Sequence, residues 1–68
     1  MAERLGNRLR EAREAKGWTQ AELAERIGVS RKTVNTVENG VFVPSTVVAL
    51  KLAGALKCRV EDLFFLPE

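Results

Sequence analysis

The densest set of side chains able to do chemistry lies between positions 31 and 36. Arg31 and Lys32 carry positive charge, and Asn35 and Thr36 add an amide and a hydroxyl. Val34 and Val37 fall between and after them at the spacing that turns inward on a helix. No acid interrupts the stretch before Glu38. From pattern alone, such a donor-rich helix face has two readings. It is a solvated surface, or it faces something that carries acceptors and negative charge.

Other chemistry is scarce. The chain has no histidine and one cysteine, Cys58. It therefore has no imidazole base, no zinc site built on His or Cys, and no internal disulfide. No residue pair has the makings of an activated nucleophile. We expect no enzyme, no metal and no cofactor. The 68 residues make one domain at most, 1–68. A domain so small leaves little room for an enclosed pocket, so no small-molecule ligand is expected either. A fold held by packing alone suits the reducing cytoplasm. No apolar run approaches a membrane span, and no signal peptide opens the chain. The net charge of +2 permits a nucleic acid as partner without arguing for one.

These side chains need helices to position them. Gly17, Gly28, Gly40 and Pro44 divide the chain into short segments, and apolar residues recur within them every three or four positions. The pattern predicts an all-α fold with helices over about 2–16, 20–27, 31–39, 46–56 and 60–65. Leu5, Leu9 and Ala12 line the first helix, with Arg13 at the edge of that stripe. Thr19 and Glu22 form a capping box for the second. Ser30 and Ser45 are N-caps for the third and fourth. Leu23, Ala24, Ile27, Val34, Val37, Ala49, Leu52, Ala53, Leu56, Leu63 and Phe64 form the predicted core. Gly54, inside the fourth helix, is expected to allow close helix approach. Strand signals are almost absent. Only Gly28, Val29 and Ser30 separate the second and third helices, which is the helix-turn-helix pattern.

The run from Gln20 to Gly40 resembles the DNA-binding domain of the Xre family, the Cro and phage-repressor type. Its Gln20-x-x-Leu23-Ala24 block, Gly28-Val29-Ser30 turn and Glu38-Asn39-Gly40 ending occur together at the family's spacing. The resemblance implies a compact five-helix bundle, similar to the lambda repressor domain, that binds duplex DNA as a homodimer and regulates transcription as a repressor. It implies a cytoplasmic, nucleoid-associated protein and an operator of palindromic form. It puts Arg31, Lys32, Thr33, Asn35 and Thr36 at base-facing positions. There the cations donate to guanine, and the threonines offer a hydroxyl, or a methyl to thymine. It puts Gln20, Asn39, Ser45 and Thr46 at phosphate-contacting positions, and pairs Arg13 with Glu38 in a partly buried ion pair. Trp18 and Cys58 fall at apolar family positions and are expected in the core.

Two positions depart from the family pattern. The loop Val41-Phe42-Val43 stands where a cation often follows the Glu-Asn-Gly ending, and Lys57 stands where a glycine often ends the fourth helix. The apolar loop suggests a protein contact, and Phe42, Phe65 and Leu66 are candidates for a dimer surface. The alternative function is a protein-interaction module of the same fold with little or no DNA binding. The acids Glu61, Asp62 and Glu68 crowd the far end of the chain and leave the third helix basic.

Overall fold

The computed structural model of the protein describes residues 4–67. The elements follow in the order β1 (Gly6–Asn7), α1 (Leu9–Ala15), α2 (Gln20–Ile27), α3 (Arg31–Glu38), α4 (Thr46–Leu56), α5 (Val60–Leu63) and β2 (Phe64–Phe65).

Local chemistry sets the ends of the central helices. At the start of α2, the Glu22 N–H donates to Thr19 Oγ1 at 3.0 Å, and the Thr19 N–H donates to Glu22 Oε1 at 2.8 Å. The Ser30 hydroxyl accepts from the Thr33 N–H, and the Ser45 hydroxyl from the Val48 N–H, each at 3.2 Å. Each such cap stabilises its helix by about 1 kcal/mol. Gly28 ends α2 in the left-handed region at φ 72°, where a side chain would be strained. Lys57 ends α4 in the same region at φ 56°, ψ 46°.

The inward faces of the five helices, with Phe64 of β2, meet in one core of Leu9, Leu23, Ala24, Ile27, Val34, Val37, Ala49, Leu52, Ala53, Leu56, Leu63 and Phe64. Leu5, Ala12, Trp18 and Cys58 are half-buried against it rather than enclosed. The Trp18 ring has one face open to the Arg26 guanidinium, 4.0 Å from the ring centre. Burial, with Asp62 nearby, pushes the Cys58 thiol above its ordinary pKa and keeps it protonated.

The two ends of the chain depart from the predicted helices. The apolar pattern predicts a first helix over 2–16, but the helix begins at Leu9; Ala2 and Glu3 lie outside the described residues. Asn7 explains the late start. Its Oδ1 accepts from the Leu9 N–H at 3.2 Å, and its Nδ2 donates to the Val37 carbonyl at 3.1 Å, so its side chain replaces the helical ladder. The last helix ends at Leu63 rather than 65 because Phe64 and Phe65 pair antiparallel with Asn7 and Gly6. Gly6 permits this pairing: a Cβ there would overlap the Phe65 ring. The bundle is thus closed by a two-residue ladder that the strand signals do not foretell. Gly54 allows no close approach, since a Cβ built on it would meet nothing within 4 Å.

Candidate nucleic-acid interface

The turn Gly28-Val29-Ser30 sets α3 against α2, and the buried Val34 and Val37 fix which way α3 faces. Arg31 and Lys32 are consequently exposed on its first turn. Thr33 and Thr36 are half-buried, and both hydroxyls are engaged by the helix or its cap. Thr33 Oγ1 lies 3.0 Å from Ser30 Oγ, and Thr36 Oγ1 donates to the Lys32 and Thr33 carbonyls at 2.9 and 3.1 Å.

A chain of hydrogen bonds with one direction joins several of the predicted contact residues. Arg10 Nη2 donates to Asn39 Oδ1 at 2.9 Å, and Asn39 Nδ2 to Asn35 Oδ1 at 3.3 Å. Asn35 Nδ2 donates to Gln20 Oε1 at 3.4 Å, and Gln20 Nε2 to Glu38 Oε1 at 3.0 Å. The chain begins at a group that only donates and ends at one that only accepts, so each amide is oriented by its neighbours. An amide nitrogen carries two hydrogens, so Gln20, Asn35 and Asn39 each keep one for a further acceptor.

Glu38 is the hub. Its side chain is fully buried, and that of Arg13 is 11% exposed. Arg13 Nε donates to Glu38 Oε2 at 2.6 Å and Nη2 to Oε1 at 3.3 Å; Nη1 donates to the Trp18 carbonyl at 2.7 Å. Arg10 Nε adds a longer bond to Oε1 at 3.4 Å. Burial pushes the Glu38 carboxyl up. The hydrogen bonds from Arg13, Gln20 and Arg10, with the Arg13 charge, outweigh that and hold it below the usual carboxylate range. The hydrogen bond to Glu38 likewise raises the Arg13 guanidinium above its ordinary value against the cost of burial. The negative charge of Glu38 is therefore neutralised within the fold and leaves the outer face of α3 to Arg31 and Lys32.

The structure thus draws Gln20, Asn35, Asn39, Arg13 and Glu38 into one network. Ser45 and Thr46 stand exposed at the start of α4 and share none of its bonds; the Ser45 hydroxyl is held by its own helix. Sequence reasoning does not single out Arg10. Its spacing of three from Arg13 is the available signal, since that places both on one helix face. Of the apolar candidates, Phe42 is 50% and Leu66 66% exposed. Phe65 is half-buried, its ring against Gly6 and 4.3 Å beneath the Arg8 guanidinium, so it is largely engaged within its own chain.

Residues 9–63 match the family model described as helix-turn-helix. The chain belongs to the Xre-type helix-turn-helix family. This helix-turn-helix domain is 42% identical over 64 residues to YgzD of Bacillus subtilis, an uncharacterized HTH-type transcriptional regulator; the match covers 94% of this chain and 97% of that relative. It is 46% identical over 61 residues to an HTH-type transcriptional regulator of Methanothermobacter thermautotrophicus, covering 88% of each. Among solved structures, the restriction-modification controller protein C.AhdI from Aeromonas hydrophila matches with a TM-score of 0.77 at 45% identity, over 81% of this chain and 83% of that one. As a member of this family, the chain is a DNA-binding transcriptional regulator. Among the described residues, no helix is long and apolar enough to cross a membrane.

Proposed function

We propose that this domain reads a specific sequence in the major groove of duplex DNA through α3, and that it does so as a homodimeric repressor. The observation that carries the reading is the outer face of α3. Arg31 and Lys32 are exposed, and the first acid that follows them in sequence, Glu38, is buried and paired with Arg13. A major groove admits one such helix, and the residues of its first turns reach base edges. Arg31, Lys32, Thr33, Asn35 and Thr36 supply base contacts. Gln20 and Asn39 hold phosphates with their remaining amide hydrogens, and Ser45 and Thr46 add contacts from α4. Pre-orientation of the amides lowers the entropy cost of binding.

One reader helix addresses only a few base pairs. Two copies spanning half-sites about 34 Å apart supply usable specificity. Val47 and Leu50, one turn apart on α4, and Leu66 expose apolar surface suited to a second copy. Repression is the direction named for one relative, the competence pilus inhibition repressor of Acinetobacter baylyi, which is 34% identical over 64 residues.

Selection of bound duplexes from a random pool tests the reading. The expected result is one enriched motif of palindromic form, bound with an affinity that falls steeply as salt rises. Enrichment of no sequence overturns sequence-specific reading, and sedimentation as a monomer both free and on DNA overturns the dimer.

A further inference from the structure

The loop after α3 turns back onto the reader helix. The N–H groups of Val41 and Phe42 both donate to the Thr36 carbonyl, at 2.9 and 3.2 Å. This sets the Phe42 ring beside the outer face of α3, where Ser30, Lys32, Thr33, Thr36, Val41 and Phe42 line a shallow depression. Four of the six belong to the reader helix and its cap.

The hydroxyl hydrogen of Thr36 is committed to carbonyls of its own helix, and Thr33 Oγ1 shares a hydrogen bond with Ser30. Beyond the lone pairs of their oxygens, the two threonines present their methyl groups. Phe42, half-exposed, and Val41, 77% exposed, add apolar wall. The Lys32 ammonium is the lone cation on its lining, with no carboxylate among the six residues.

We infer that this depression receives the C5-methyl group of a thymine, with Lys32 donating to the adjacent O4. The inference rests on the proposed docking of α3 in the major groove. Thymine is the standard base that presents a methyl beside an acceptor there. A cytosine or adenine at the same place would bring an amino donor, where thymine has O4, against the Lys32 ammonium, which cannot accept, and would put no methyl in the depression. Phe42 is therefore a specificity residue, and the loop that lacks the family's common cation gains base discrimination in its place.

Deoxyuridine lacks only the methyl, so it isolates this contact. The full chain is titrated against its selected duplex and against duplexes with each thymine replaced in turn by deoxyuridine. At one position in each half-site the replacement weakens binding about fourfold, the worth of one buried methyl. Phe42→Ala, and separately Thr36→Ser, which keeps the hydroxyl, bind the thymine and deoxyuridine duplexes at that position within about twofold of each other. A selected motif without thymine, or tight binding indifferent to every deoxyuridine, overturns the pocket and leaves the docking of α3 standing. The same holds if the sensitivity survives undiminished in both variants. Binding to no duplex overturns the docking itself and the pocket with it.

Discussion

Gln20 Nε2 donates to Glu38 Oε1 across 3.0 Å, joining the first residue of α2 to the last of α3. Gln20, for which we propose a phosphate contact, is thus held by the carboxylate that Arg13 anchors to α1. The anchoring pair and the proposed DNA-contacting amides thus share one network, and Arg10 closes it by bonding both Glu38 and Asn39.

Arg13→Ala is expected to destabilise the domain by about 3 kcal/mol or more, because it strands a fully buried carboxylate. For a domain of this size that is a fall in Tm of at least about 12 °C. Arg10→Ala removes a guanidinium that is 50% exposed and contributes a longer bond, so its cost is within about 1 kcal/mol. Thermal melts of both variants check the order, and a melting temperature unmoved by Arg13→Ala sinks the anchoring role of the pair.

Acid should unfold the domain partly through Glu38. Its pKa is lower folded than unfolded, so its contribution is complete above the unfolded value of about 4.3. That contribution is lost as pH falls from there through the folded value. Glu22 adds in the same direction, since it accepts from the Thr19 backbone N–H and is held below its ordinary value. Urea midpoints measured from pH 7 down to about 3, below the ordinary carboxylate range, should fall less steeply in Glu38→Gln than in the native chain. Parallel curves would show that Glu38 does not titrate on unfolding.

Lys57 offers the opposite test, a gain. Its backbone is left-handed, which costs a residue with a Cβ about 1 kcal/mol. Lys57→Gly relieves that cost, worth at most about 4–8 °C in Tm, and is expected to raise Tm by less than that. The greater freedom of glycine in the unfolded chain offsets part of the gain. A lower Tm in the variant would mean that the Lys57 side chain stabilises the turn more than its backbone strains it.

Much of this is legible in the residues, for physical reasons that differ by region. The capped helices α2, α3 and α4 are readable because Thr19, Ser30 and Ser45 satisfy backbone donors locally, and local chemistry is visible in sequence. The left-handed turn at Lys57 is readable from the family pattern. The start of α1 is not, because it depends on Asn7 reaching the Val37 carbonyl, a contact 30 residues away. The β1–β2 ladder is hidden for the same reason: strands of two residues carry no periodicity, and only the fold brings Gly6 to Phe65. At the interface, sequence places Arg31 and Lys32 outward but leaves the threonines open between hydroxyl and methyl. The bonds that occupy those hydroxyls, to Ser30 and to the Lys32 and Thr33 carbonyls, depend on how the helix and its cap are folded, which residue types alone do not show.

Arg31 and Lys32 are adjacent yet should fail differently. Lys32 lines the depression beside Thr33 and Thr36, whereas Arg31 lies outside it. Lys32→Ala is therefore expected to relax base preference at one position per half-site, by about 1–3 kcal/mol. Arg31→Ala is expected to weaken binding to all duplexes alike. It should also lower the salt slope by about one for each phosphate that the variant leaves without a cation. Affinities for the selected duplex and for single base-pair variants, each measured over a range of salt, separate the two effects. Exchanged behaviour would move the base contact to Arg31 and the phosphate to Lys32. If neither variant changed affinity or slope, α3 would not be the helix that meets DNA.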